Sequence, residues 1–339
     1  MNKTKNFKSI SLIIILLTSA IAFISFDLPS NKNKSIQIKK VTQFETPENN
    51  EQKNVYYKTI KIDGLNIFYR EAGDKSKPTI LLLHGFPSNS HMYRDLMNDL
   101  SADYHLIAPD YPGFGQSSAP STTAYTYTFD NLATTMFHFI DAVGLKKFSL
   151  YMQDYGGPVG FRIASQKPEL IQALIVQNAN AYKEGLGEDL KPLSDYFTDP
   201  NAVTEKAVRG ILNFAATKGQ YTGGAEDISK ISPDSYTTDQ YYLDRPGNDE
   251  IQLALFRNYG TNVSLYDTWQ AYFRKYKPAT LVISGKNDKI FIAAGAEAFK
   301  RDNKDAQISL LNGGHFVLEE KHTEAALIIK SFLLKKGIN

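Results

Sequence analysis

This 339-residue chain has no cysteine and a single tryptophan. The first absence excludes disulfides, thiolate nucleophiles and cysteine-rich zinc sites, and leaves the redox compartment open. Charge of one sign is also missing. The 38 Lys and Arg against 36 Asp and Glu leave a formal +2, so nothing argues for nucleic acid or another strongly charged partner. There is no internal repeat, no glycine motif built to cradle phosphate, and no ligand cluster calling for a metal or an organic cofactor. What is present, 42% hydrophobic and 22% charged residues, is enough for an ordinary globular protein with a sizeable core.

The N-terminus speaks about location. Lys3, Lys5 and Lys8 precede an apolar run from Ile10 to Phe26, and Ala20-Ile21-Ala22 supplies small residues at an A-x-A spacing. Together these describe a secretory signal peptide over residues 1–26. The run is short for a spanning helix, which needs about 20 apolar residues, so an uncleaved anchor is the alternative. The expected location is secreted or periplasmic, or else membrane-anchored with the folded part outside the cytoplasm. Residues 27–55, polar and rich in Asn, Lys and Glu, read as a tether.

Folded structure is expected from Tyr56. Tyr56–Ile62 and Leu65–Glu71 alternate around Asp63-Gly64 like a β-hairpin. Thr79–Leu83, His105–Pro109, Lys147–Met152 and Ala173–Gln177 are short apolar runs of the kind buried on both faces. Thr128–Val143 has helical spacing, and a second helix is expected from about Pro158 to Gln166. Strands alternating with helices predict an α/β fold with a mostly parallel sheet covered on both faces. The rhythm breaks from Asn178 to about Lys277, where helical patches such as Val203–Ala216 and Glu250–Tyr259 lie among Tyr, Asp, Gly and Pro. It resumes with the strand Thr280–Ser284, the helix Ile292–Lys300, the strand Gln307–Leu311 and a final helix, His322–Lys335. An insertion of that size reads as a helical cap over the carboxyl ends of the strands, where open α/β sheets bind ligands.

The chemistry concentrates in Phe148-Ser-Leu-Tyr-Met-Gln-Asp-Tyr-Gly-Gly-Pro-Val-Gly160. An apolar strand breaks at a glycine-rich turn whose apex, in a nucleophile elbow, normally carries serine. Here it carries Asp154. Aspartate is common in turns, but a carboxylate at this apex is already ionised and can displace a leaving group from saturated carbon, forming an ester. Two further segments follow strand ends. Gly313-Gly-His-Phe316 offers His315, and Gly285-Lys-Asn-Asp-Lys289 offers Asp288, which can accept from one ring nitrogen of His315 and fix its tautomer. A competing relay position holds Asn178, which cannot carry the charge, so Asp288 is favoured. His84-Gly-Phe-Pro87 and the elbow would supply the backbone N–H groups of Phe86 and Tyr155 as an oxyanion hole.

These segments, in this order and with Asp110-Tyr-Pro-Gly-Phe-Gly-Gln-Ser117, resemble the epoxide hydrolase and haloalkane dehalogenase branch of the α/β-hydrolases. The resemblance spans roughly Tyr56 to Leu334 and is weakest in 178–277. It implies the α/β-hydrolase fold: an eight-stranded, mostly parallel sheet with helices on both faces, residues 56–177 and 278–339 as the core, and 178–277 as the cap. It implies Asp154 as nucleophile, His315 as general base, Asp288 as its orienting acid, and a small apolar organic substrate with water as reactants. Met152 departs from the smaller residue usual before the elbow.

The leaving group divides the branch. Dehalogenases hold halide with side-chain N–H donors, yet Tyr155 and Phe86 stand at the positions concerned, and neither has one. The single tryptophan, Trp269, lies late in the cap. Epoxide hydrolases protonate the opening ring with cap tyrosines; Phe256 stands where one is expected, leaving Tyr259 or Tyr266 to substitute. The expected activity is therefore epoxide to diol, with haloalkane dehalogenation as the alternative. A non-catalytic secreted binding protein on the same fold is the alternative of another class. An esterase is weaker, because no serine occupies the apex.

Overall fold

The computed structural model describes residues 55–339. The expected leader and tether lie outside the described residues, save Val55, which opens the first strand. No helix of the described residues is long and apolar enough to cross a membrane.

Strands β1 (Val55–Ile62) and β2 (Leu65–Ala72) form an antiparallel hairpin. Its two-residue turn, Asp63-Gly64, has φ of 49° and 86°, the positive pair that a type I′ turn needs. Strand β3 (Thr79–Leu83) leads through helix α1 (Arg94–Leu100) to β4 (His105–Pro109), and α2 (Phe129–Ala142) leads to β5 (Phe148–Gln153). Helix α3 (Gly156–Gln166) then returns to β6 (Ile171–Gln177). The order across the eight-stranded sheet is β1-β2-β4-β3-β5-β6, followed by β7 (Ala279–Gly285) and β8 (Gln307–Leu311). The β1–β2 and β2–β4 pairs are antiparallel; β3 to β8 pair parallel with one another and with β4.

Period-two alternation divides the core into two layers. Leu81, Leu83, Leu150 and Met152 point to the face covered by α2 and α3, where Phe129, Phe139 and Phe161 are buried. Ile80, Leu82 and Tyr151 point to the other, against Leu96 and Met97 of α1 and Ile329 and Phe332 of α12 (Leu318–Lys335). That two-sided burial explains why the central strands read as unbroken apolar runs. Met152 fits because α3 passes it with a glycine: a Cβ on Gly160 would meet the Met152 sulfur at 2.3 Å.

Between β6 and β7 lies a helical insert: α4 (Lys191–Thr198), α5 (Ala202–Arg209), α6 (Phe214–Thr222), α7 (Pro233–Leu243), α8 (Asn248–Asn258), α9 (Gly260–Ser264) and α10 (Tyr266–Tyr276). The single helical patch expected over Val203–Ala216 is two helices. A 3₁₀ turn at Gly210–Leu212 ends the first, and Asn213 caps the second by accepting from Ala216 N at 3.0 Å. Helix α11 (Ala293–Asp302) follows β7. Helix α12 starts four residues before its expected His322 because its first turn is occupied by tertiary contacts. There Glu319 takes a bidentate bond from Arg94, at 3.0 and 2.8 Å, and Glu320 accepts from the backbone of Glu226 and Asp227 in the insert.

Candidate active site

Asp154 stands between the end of β5 and the start of α3 with φ of 48°, a left-handed conformation that is costly for a residue with a Cβ. Its N–H donates to the carbonyl of Asn178 and its carbonyl accepts from Gly157 N. The side chain is buried. Oδ1 accepts the Phe86 N–H at 2.7 Å, and the Tyr155 N–H also serves the carboxylate. Burial pushes the Asp154 pKa up to about 6, against the opposing pull of His315 and the two N–H groups.

His315 follows β8 on the Gly313-Gly314 loop. Its Nδ1 lies 2.9 Å from Asp288 Oδ2, so the proton on Nδ1 donates to the carboxylate and the Nε2 lone pair is left as acceptor. Nε2 stands 3.8 Å from Asp154 Oδ2. Burial lowers the pKa of His315, but the Asp288 charge and hydrogen bond, with Asp154 beyond, raise it on balance. The three residues singled out in the sequence for this chemistry therefore meet.

Asn178 is no competitor to Asp288 but its support. The Asn178 Nδ2 donates to Asp288 Oδ2 at 2.7 Å, while Oδ1 accepts from Gln177 Nε2 and from Gly285 N. With its backbone tied to Asp154, this one residue joins the ends of β5, β6 and β7. Ile290 N completes the Asp288 carboxylate at 2.8 Å. Gln153 was not anticipated either. Its Nε2 lies 3.2 Å from His315 Nε2, while its Oε1 is buried without a partner among the described residues. Strand alternation alone could have placed Gln153 beneath the elbow, but not against the imidazole.

Three glycines let the pieces close on one another. A Cβ on Gly285 would fall 2.0 Å from the Gly314 carbonyl oxygen, and one on Gly314 would fall 1.8 Å from that of Gly223, at the end of α6. Beside them Tyr221 stacks on Phe316 at 3.8 Å and 9°. Gly314→Ala should therefore shift α6 or the His315 loop and destabilise the protein by about 1–3 kcal/mol, read as a lowered urea midpoint.

Asp154, Tyr155, Phe86 and His315 line a cavity of about 490 Å³, whose walls are completed by the insert and the 287–290 loop. Of the three insert residues considered for the leaving group, the structure brings only Tyr259 to this cavity. Tyr266 stands behind it and accepts from Asn180 Nδ2 at 3.2 Å. Trp269 is buried against Phe161, with ring centroids 5.2 Å apart. Phe256 takes a place in the wall, edge-on to Phe86 at 5.2 Å.

A family described as alpha/beta hydrolase fold matches residues 78–322. The chain belongs to this family. An uncharacterized hydrolase of Saccharomyces cerevisiae, YNR064C, is 40% identical over 269 residues, covering 78% of this chain and 92% of that one. Human epoxide hydrolase 4 is 36% identical over 255 residues, 72% of this chain and 68% of that one. Among solved structures, a haloalkane dehalogenase loop variant, DbeA-M1 from Bradyrhizobium elkanii, superposes with a TM-score of 0.71 over 84% of this chain and 98% of that one; at 20% identity it speaks for the fold alone. With such relatives this α/β hydrolase is an enzyme.

Proposed function

We propose that this α/β hydrolase opens epoxides to diols through a covalent ester on Asp154, with the insert serving as its cap. The reading rests above all on a buried carboxylate that faces an apolar-walled cavity, with an imidazole nitrogen 3.8 Å away. In the first step an Asp154 oxygen attacks a ring carbon and the carbon–oxygen bond of the epoxide breaks. The electron pair stays on the ring oxygen, which takes the proton of Tyr259. That phenol is held protonated because burial, together with nearby Tyr266 and Asp154, pushes its pKa up. In the second step His315 Nε2 removes a proton from water and the hydroxide attacks the ester carbonyl. The resulting oxyanion is held by the N–H groups of Phe86 and Tyr155, each such donor being worth about 2.7–4 kcal/mol. Collapse releases the diol and the carboxylate, and the proton on His315 returns to Tyr259 through solvent.

Halide is the less favoured leaving group, since Phe86 and Tyr155 bring no side-chain N–H and Trp269 is not in the cavity wall. A panel of epoxides and alkyl halides, assayed for diol and halide release, tests the choice. Tyr259→Phe should slow ester formation from epoxides by about 10²-fold or more, the contribution expected of a general acid. Halide release without diol would move the assignment to dehalogenation. The leader further supports export, and N-terminal sequencing of protein recovered from the medium or periplasm would find the chain cut after the Ala20-Ile21-Ala22 site.

A further inference from the structure

The walls of the cavity differ from end to end. Beside Asp154 stand Phe86, Tyr155, Phe256 and Tyr259, which offer a reacting carbon an apolar seat. The far side is bounded by α6, which presents Ala216, Gly219 and Gln220, and by Glu188, Asp189 and Lys289 at the rim. Gly219 is the informative position. It lies inside a helix without positive φ, and a Cβ there would meet nothing within 4 Å. Neither backbone conformation nor packing requires glycine, and glycine weakens a helix relative to alanine. Gly219 is an exposed member of the lining, so what its missing side chain leaves is open space at the edge of the cavity.

Charge at the rim points the same way. The lining carries four carboxylates, Asp154, Asp288, Glu188 and Asp189, against two basic groups, His315 and Lys289. His315 is bound to Asp288, and Lys289 already faces Glu188 at 3.7 Å. No basic side chain is left to receive a carboxylate, whereas Asp189 and the Gln220 amide can receive a cation or a hydroxyl.

We infer that the substrate is an elongated, amphipathic epoxide whose apolar, reactive half fills the cavity beside Asp154. Its chain passes over Gly219, and its polar end, neutral or cationic but not anionic, emerges at Asp189 and Gln220. This deepens the epoxide reading and rests on it. The test compares short and long 1,2-epoxyalkanes, and long epoxides ending in trimethylammonium, hydroxyl or carboxylate, on the wild-type protein, Gly219→Ala, Gly219→Leu and Asp189→Asn.

On the wild-type protein, the long chain should be preferred over the short, and the trimethylammonium ending over the carboxylate by about tenfold in kcat/KM at low salt, the latter gap narrowing as salt screens the exposed rim. Gly219→Leu should lower the long-to-short ratio at least tenfold and Gly219→Ala less so. Thermal melts of both variants at or above that of the wild type would show that the helix is intact. Asp189→Asn should shrink the cation preference. Diol formation with an unchanged length ratio in Gly219→Leu, or with the carboxylate preferred, overturns the inference and leaves the epoxide reading standing. Silence of the wild-type protein on every epoxide overturns both.

Discussion

His315→Ala is expected to stop turnover after the first half-reaction. Ester formation needs the Asp154 carboxylate and an acid for the ring oxygen, both of which remain, but ester hydrolysis needs the proton acceptor 3.8 Å from Asp154. Intact-mass spectrometry after incubation with an accepted epoxide should show the chain heavier by the whole mass of that epoxide, since nothing leaves on ring opening. Steady-state turnover should fall by on the order of 10⁴-fold or more, as losses of a base that acts together with its nucleophile do. The same mass in Asp154→Asn should show no adduct. An alkyl halide would add only its alkyl part, so the mass itself separates the two chemistries. A true substrate that leaves His315→Ala unmodified removes the covalent route.

The second large effect concerns acidity. Burial raises Asp154 from the usual 3.8 to about 6. The carboxylate must be ionised to attack, and the raised His315 must be neutral to accept water's proton. Both requirements fail in acid, so activity should climb through about pH 6 and keep rising past the ordinary imidazole value of 6.5 until His315 is neutral. It should then stay level on the alkaline side, where Tyr259 keeps its proton. The same shift acts on stability with the opposite sign. A group whose pKa is higher folded than unfolded favours the fold below about pH 4, and that advantage disappears as pH rises through about 6. The difference corresponds to a handicap on the order of 3 kcal/mol at neutral pH. Asp154→Asn keeps an oxygen for the Phe86 N–H and sheds the buried charge. It should melt several degrees above wild type near pH 7 and level with it near pH 4. Equal melting temperatures at both would mean that the carboxylate is better solvated than its burial implies.

The sequence made the sheet and the convergence of Asp154, Asp288 and His315 legible for one physical reason. Strands buried on both faces write themselves as apolar runs, and parallel runs deliver whatever follows them to the same edge of the sheet. What the insert brings to that edge was less legible. A helix exposes a different face for each choice of packing partner, so spacing could not tell that Tyr259 turns to the cavity while Trp269 turns to Phe161. The supporting part of Asn178 was not legible because its residue type speaks only to charge, whereas its contribution is a pair of hydrogen bonds across three strand ends. The break in the helical patch at 210–212 was within reach, since Gly210 and Asn213 are ordinary helix punctuation.

The glycine contacts from Gly285 through Gly314 to Gly223 also bear on how molecules reach Asp154. With carbonyl oxygens set against bare α-carbons, the end of α6 cannot be levered away without dragging the imidazole off its carboxylate. Entry and exit of reactants therefore have to leave the end of α6 and the His315 loop in place.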